Sequence, residues 1–419
     1  MRRRLVLVTL LFLSFIARLP VHSSFAQSPE NAPPPAAETP PPSSETSPPP
    51  VPTDEHRFPE LLLHERADAV MELGELRSAV RMSPNSADGR LKLAQGLYRI
   101  GDLDAAIDEC RMAIAMKPDD ARAHLQLGVA LMAKQDWRAS LAELKETTRL
   151  NPELTQAHYN LGTVYYTTGN LKAAIQSYRK ALELQASFPD ARYRLALVLK
   201  LAHRDQESVQ FMEEAALGGV PQAQYFLGNA YRNGQGVEKN LTLAIRWWTT
   251  AVEFGQQRAA ESLSQLRRQA LSPDQSERRR KDAIEAFRQY RDELWADYPD
   301  AGRNDPGESL GIALLKDSQA SNGVTALFAE AFALSETAQD ELARLYETGL
   351  DIRLAQFDTR ILACFATTAA DGFIPSKKAL ARIYGKGLGV APDLQKAKVM
   401  LRGLSKQEIK EALDGIAGR

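Results

Sequence analysis

Histidine and cysteine are the side chains best suited to hold a metal or to act as base and nucleophile. Their spacing here supports neither role. The histidines stand at 22, 56, 64, 124, 158 and 203, and no two show metal-ligand spacing. The two cysteines, Cys110 and Cys364, are too few for a disulfide scaffold or a cysteine-rich zinc module. No Ser/His/Asp or Cys/His set sits in a recognisable frame. Carboxylates are plentiful, but nothing marks a general acid–base pair. Residues 385–390, GKGLGV, could be taken for a phosphate-binding loop. Such a loop needs a preceding strand and a Gly-Lys-Ser/Thr or G-x-G-x-x-G frame. Here the glycines follow a helical Tyr384 and recur at Gly234 and Gly236, where positive φ in a turn explains them. The run Arg278, Arg279, Arg280 and Lys281, with Ile284, Phe287, Leu294, Trp295 and Tyr298, could suit an anionic surface. The spacings Glu277–Lys281, Arg278–Asp282, Lys281–Glu285 and Arg288–Asp292 predict instead a solvated, self-paired helix. No catalytic, cofactor-binding or metal-ligating residue is expected, and recognition is the chemistry that remains.

The elements that would carry recognition come from a repeat. Pro84, Pro118 and Pro152 are 34 residues apart, as are His124 and His158, Gly128 and Gly162, and Leu93, Leu127, Leu161 and Leu195. Windows 87–120, 121–154 and 155–188 align clearly, and 53–86 and 189–218 more weakly. Small residues at Gly128, Gly162, Ala106, Ser140 and Ala174 let two antiparallel helices approach. Leu127, Leu131, Leu144, Tyr165 and Tyr178 fill the groove between them. The proline closes the second helix. This pattern resembles the tetratricopeptide repeat. It departs from the family where His or Arg replaces the aromatic start residue, and at Ala186, where the proline is missing.

After Gly219 the period changes. Residues 227–248 recur as 380–401, pairing Tyr231 with Tyr384, Gly234 and Gly236 with Gly387 and Gly389, and Ala244 with Ala397. A degenerate copy covers 342–352. These segments resemble the Sel-like repeats, relatives with a longer glycine-rich loop. Between the copies, Ser272-Pro273-Asp274-Gln275 predicts a helix start. Residues 323–333 predict the second helix of another pair, and Ser405-x-x-Glu408 caps a final helix. Cys110 and Cys364 fall on packing positions, and a disulfide between them is not expected.

The ends of the chain differ from its middle. Arg2, Arg3 and Arg4, the apolar run 5–16 and Ser24-Phe25-Ala26 have the layout of a secretory signal cut before Gln27. Residues 28–52 hold 11 of the 23 prolines and predict a semi-rigid spacer. The 52 basic and 53 acidic residues lose four arginines and no acid with 1–26, leaving a formal −5. That balance argues against nucleic acid as a general partner. No segment approaches the ~20 apolar residues of a membrane span.

The chain therefore divides into a signal (1–26), a linker (27–54), tetratricopeptide repeats (55–218), a Sel-like repeat (219–270), a helical connector (271–320), Sel-like repeats (321–404) and a capping helix (405–419). The fold expected from the resemblance is all-α, a right-handed superhelical solenoid of antiparallel helix pairs. The resemblance also implies a concave face lined by the first helices at repeat positions 2, 5, 6, 9 and 12. Here these include Arg122, Tyr159, Asn160, Thr163, Tyr166, Tyr193, Arg194 and Lys200. Such side chains suit a peptide of some acidic character, unless the tyrosines only pad helix contacts. In one subclass five polar residues clamp a peptide carboxylate. Asn160 and Arg194 match two of those positions, but Leu125, Val129 and Asp190 do not suit the others. The expected function is an exported, periplasmic or extracellular scaffold that binds a protein or peptide, with no cofactor and no enzymatic activity. The alternatives are an envelope ligand binder or peptidoglycan-related enzyme with a pocket near 262–335, and a membrane-surface regulator using Arg278–Lys281.

Overall fold

The computed structural model describes residues 63–301, 308–316, 320–351 and 353–417. The signal, the linker and most of the loop expected at 302–309 lie outside the described residues. Twenty α-helices occur, and no strand among the described residues. The chain divides at Gly218/Gly219 into two compact units.

The first unit holds α1 (Leu63–Met82), α2 (Ala87–Ile100), α3 (Leu103–Met116), α4 (Ala121–Ala133) and α5 (Trp137–Leu150). It continues with α6 (Thr155–Thr167), α7 (Leu171–Leu184), α8 (Pro189–Leu201) and α9 (Asp205–Leu217). The pairs α2/α3, α4/α5, α6/α7 and α8/α9 pack together, and α1 packs on α2. Each repeats one design. Repeat position 8 holds a small residue (Ala94, Gly128, Gly162, Ala196) and position 24 a larger buried one (Cys110, Leu144, Tyr178, Met212). A Cβ on Gly128 would lie 2.8 Å from Leu144, and one on Gly162 2.7 Å from the Tyr178 ring. Ser140 and Ser208, at position 20, donate their hydroxyls to the carbonyls of Gly128 and Ala196 at 2.8 and 2.7 Å. The turn inside each pair needs a left-handed residue. Gly101 and Gly169 supply it, and so do Gln135 and His203, at φ 64° and 57°. Asp102, Asp136 and Asn170 then cap the second helix.

The missing proline at Ala186 changes little. Helix α7 still ends at Leu184, and Pro189 opens α8 instead. A residue before proline is disfavoured in the helix, and Phe188 is accordingly non-helical at φ −130° and ψ 83°.

The second unit holds α10 (Pro221–Asn233), α11 (Leu241–Glu253), α12 (Gln257–Leu271), α13 (Glu277–Ala296), α14 (Leu310–Lys316) and α15 (Ala320–Phe332). It ends with α16 (Glu336–Thr348), α17 (Thr359–Ala370), α18 (Ile374–Lys386), α19 (Leu394–Met400) and α20 (Lys406–Ala417). Gly234, Gly236, Gly387 and Gly389 all have positive φ, between 65° and 73°. The two loops close identically: Asn240 N–H donates to Tyr231 O at 2.8 Å, and Asp393 N–H to Tyr384 O at 2.7 Å. In the degenerate copy Phe357 N–H donates to Tyr346 O at 2.8 Å. Trp248 is fully buried against Gly228.

Two buried polar groups organise this unit. Arg267 and Asp371 form an ion pair at 2.7 Å that joins α12 to the end of α17. Glu330 accepts from Leu310 N–H at 2.8 Å and Gly311 N–H at 3.0 Å, so it serves the start of α14. The expected helix start at Ser272 is corrected to Glu277. Ser272 instead ends α12, and its hydroxyl accepts from Asp274 N–H at 3.3 Å. Ser405 and Glu408 form the expected reciprocal cap before α20. Lys281 pairs with Glu277 as expected, while Arg288 reaches back to Glu285 rather than on to Asp292.

Candidate functional site

The first helices of the first unit are held in register by one recurrent polar contact. Repeat position 4 carries Arg90, His124 and His158. Arg90 donates from Nε to Pro84 O at 3.1 Å, and the Nε2 of His124 and of His158 reach Pro118 O and Pro152 O at 2.9 and 2.8 Å. Each cation or imidazole thus ties its helix to the carbonyl of the proline that closed the preceding one. Arg90 also meets Glu109 at 2.9 Å, and His124 meets Glu143 at 2.7 Å, one repeat later. In the repeat that lacks the proline, Arg192 pairs with Glu214 at 2.7 Å. A polar strut replaces the expected aromatic, which explains the departure seen in the sequence.

A groove of about 590 Å³ opens between α1, α2 and α4. Lys92, Gln95 and Tyr98 of α2 and Leu125, Gln126 and Val129 of α4 contribute its walls. Gln126 Oε1 is buried and has no hydrogen-bond partner among the described residues. A buried acceptor left unmade costs about 1–3 kcal/mol. Burial raises the Tyr98 hydroxyl above its ordinary pKa. Cys110 also reaches this groove, but burial pushes its thiol up to about 12, so it is not a thiolate.

The eight residues expected on this face are distributed as follows. Arg122 is exposed and ion-paired with Asp88 at 2.8 Å and Asp120 at 3.0 Å. Tyr159 is half-buried, with its ring 4.9 Å from Phe188 and 5.7 Å from Tyr178. Asn160, Thr163, Tyr193 and Arg194 are buried. The Asn160 amide oxygen accepts from Gln156 at 3.4 Å, while its Nδ2 is buried without a partner among the described residues. The Thr163 hydroxyl donates to Tyr159 O at 3.2 Å and accepts from Tyr178 OH at 3.1 Å. Burial raises the Tyr178 hydroxyl, and the Arg194 charge partly opposes that shift. Tyr166 and Lys200 are half-buried. Tyr159, Thr163 and Arg194 thus converge around Tyr178, whereas Arg122 belongs to a separate surface ion-pair group.

The groove residues Lys92, Gln95, Tyr98, Leu125, Gln126 and Val129 escaped the sequence reading. The signal was present. They occupy positions 5, 6, 9 and 12 of two earlier repeats, the positions from which Tyr159, Asn160, Thr163 and Tyr166 were picked. Leu125 and Val129, unsuited to a carboxylate clamp, form the apolar part of a wall whose polar part is Lys92, Gln95 and Gln126.

No group of three or more His, Cys, Asp or Glu could hold a metal ion among the described residues. Among the same residues no helix is long and apolar enough to cross a membrane. Cys110 and Cys364 are free and buried.

Comparison with known proteins gives the following. No curated protein matches. Among solved structures, the crystal structure of MamA shares 23% identity over 39% of this chain and 95% of that one, with a TM-score of 0.35. YrrB, titled a TPR protein with an unusual peptide-binding site, shares 19% over 45% and 96%, with a TM-score of 0.37. Pseudomonas aeruginosa pilF shares 23% over 58% and 98%, with a TM-score of 0.37. The tetratricopeptide repeat family model matches residues 66–121 and 125–191, and the Sel1 repeat model matches 221–253 and 377–402. The chain is a repeat protein that carries tetratricopeptide repeats within 66–191 and Sel1 repeats within 221–402.

Proposed function

We propose that this protein is an exported, non-enzymatic scaffold that binds an extended protein segment along the first-helix face of its tetratricopeptide repeats. The observation that carries the reading is the groove at α2 and α4 with the unpartnered Gln126 Oε1 at its wall. A peptide N–H is the donor that such an acceptor lacks, and Leu125 and Val129 offer apolar contact beside it. The expected residues extend the proposal. Tyr159, Tyr166 and Lys200 present partial surface at equivalent positions, and the buried Asn160, Thr163, Tyr193 and Arg194 hold that surface in place. Export rests on residues 1–26. N-terminal sequencing of protein recovered from the cell envelope is expected to begin at Gln27; an intact Met1 would remove the export part of the reading.

Binding is testable with the full-length protein and a displayed peptide library. Selected peptides are expected to bind in the micromolar range, near −8 kcal/mol. Val129→Glu should weaken them at least about tenfold, or ~1.4 kcal/mol, while Lys145→Glu on α5 leaves them unchanged. Equal affinity for both variants would place the site elsewhere.

A further inference from the structure

A second cavity, of about 230 Å³, lies inside the second unit between α11, α12, α13 and α15. Its walls are mainly apolar, with Ile245, Val252, Leu263, Phe287 and Phe332 among them. The volume is below the roughly 300 Å³ where drug-sized pockets begin, so only a small molecule fits. Two charged side chains reach it. Arg267 is committed: it is buried in the ion pair with Asp371 and its guanidinium stands 5.9 Å from the Phe332 ring. Glu253, the last residue of α11, forms no ion pair among the described residues.

We infer that this cavity is a binding site for a small organic ammonium ion with an apolar body, its cation paired with the Glu253 carboxylate. Arg267 is held by Asp371, which also pairs with the exposed Arg268 at 3.1 Å, and Glu253 is the one carboxylate on the cavity wall among the described residues. The aromatic rings of Phe287, Tyr290 and Phe332 give a cation further favourable surface. Glu253 also ends its helix, where the backbone dipole favours a positive charge. The site shares no residue with the peptide groove and stands or falls separately from it.

The protonation state of Glu253 sets how binding depends on pH. Burial holds its carboxyl up to about 7, and no neighbouring charge contributes to that shift. The titratable groups turned towards it are Tyr290 and Tyr298, from α13 and the turn after it, and Arg267 from α12. Thr325, Ala329 and Phe332 of α15 and Thr367 of α17 bring no charge. A bound cation favours the ionised carboxylate, so below about pH 7 each binding event releases up to one proton.

Calorimetric titration of the full-length protein with phenethylammonium, 2-phenylethanol and phenylacetate tests the site. Phenethylammonium is expected to bind below about 1 mM at pH 8 and at least tenfold more tightly than the other two. Its affinity should fall about tenfold between pH 8 and pH 6, with proton uptake by the buffer. Glu253→Gln, which removes a buried charge at constant shape, should bind the amine and the alcohol equally. Ala260→Trp, which fills the cavity, should bind neither. No binding at about 10 mM, equal affinity for amine and alcohol in the wild type, or a preference surviving in Glu253→Gln would overturn the inference.

Discussion

Position 4 of the repeat shows how side chains suited to chemistry can serve geometry instead. Arg90, His124 and His158 each bind the carbonyl of the preceding proline, so the histidines act as helix-to-loop struts. Their 34-residue spacing was visible in the sequence, but the partner was not, because a backbone carbonyl leaves no trace in residue identity. His124→Ala should cost about 1–2 kcal/mol, read as a lower denaturant midpoint. Gly162→Ala should cost about 1–3 kcal/mol, since its Cβ would press on the Tyr178 ring at 2.7 Å. His203→Gly should have the opposite sign. His203 holds φ at 57° where Gly101 and Gly169 sit in sister repeats, and releasing that conformation should gain up to about 1 kcal/mol in a thermal melt. At Glu253 the sign follows from proton binding. Burial holds its pKa up to about 7 in the folded state, against an ordinary value of 4.5. The folded protein therefore holds a proton that the unfolded chain lacks between those values, and this group's stabilisation is lost as pH rises through them. Glu253→Gln should flatten that part of the stability profile.

At the scale of elements, the helix pairs that share a period were legible and those without one were not. The 34-residue spacing located α2 to α7 because small and large residues alternate on facing helices at fixed offsets. The 153-residue echo located α10, α11, α18 and α19 through their glycine turns. Gly387→Ala should be destabilising by about 1–2 kcal/mol, because φ is 69° and a Cβ would lie 2.6 Å from Pro392. The start of α13 was misplaced because Ser272-Pro273-Asp274 can either open a helix or close one, and the choice depends on α12, which lies upstream. The buried pair Arg267–Asp371 was likewise invisible, being 104 residues apart in the chain. Asp371→Ala leaves Arg267 buried without its partner and should cost about 3–5 kcal/mol, measured as loss of the folded second unit by hydrogen exchange.

For the whole molecule, the chain is two repeat types in two compact units, with tetratricopeptide repeats before Gly219 and Sel1 repeats after it. On the proposed reading recognition takes place at the groove, one or two repeats before the residues that the repeat positions singled out. The physical reason is burial. Asn160, Thr163, Tyr193 and Arg194 were expected from position and polarity and are buried, while Gln126 and Val129 are half-buried in the wall of the groove. The most direct test is to place a photo-crosslinking amino acid at Val129 of the full-length protein in its native envelope, with Lys145 as the control position. The scaffold reading predicts a discrete protein adduct from position 129 that is absent from position 145 and is lost when Gln126 is replaced by Leu. No adduct at 129, or the same adducts from both positions, would contradict it.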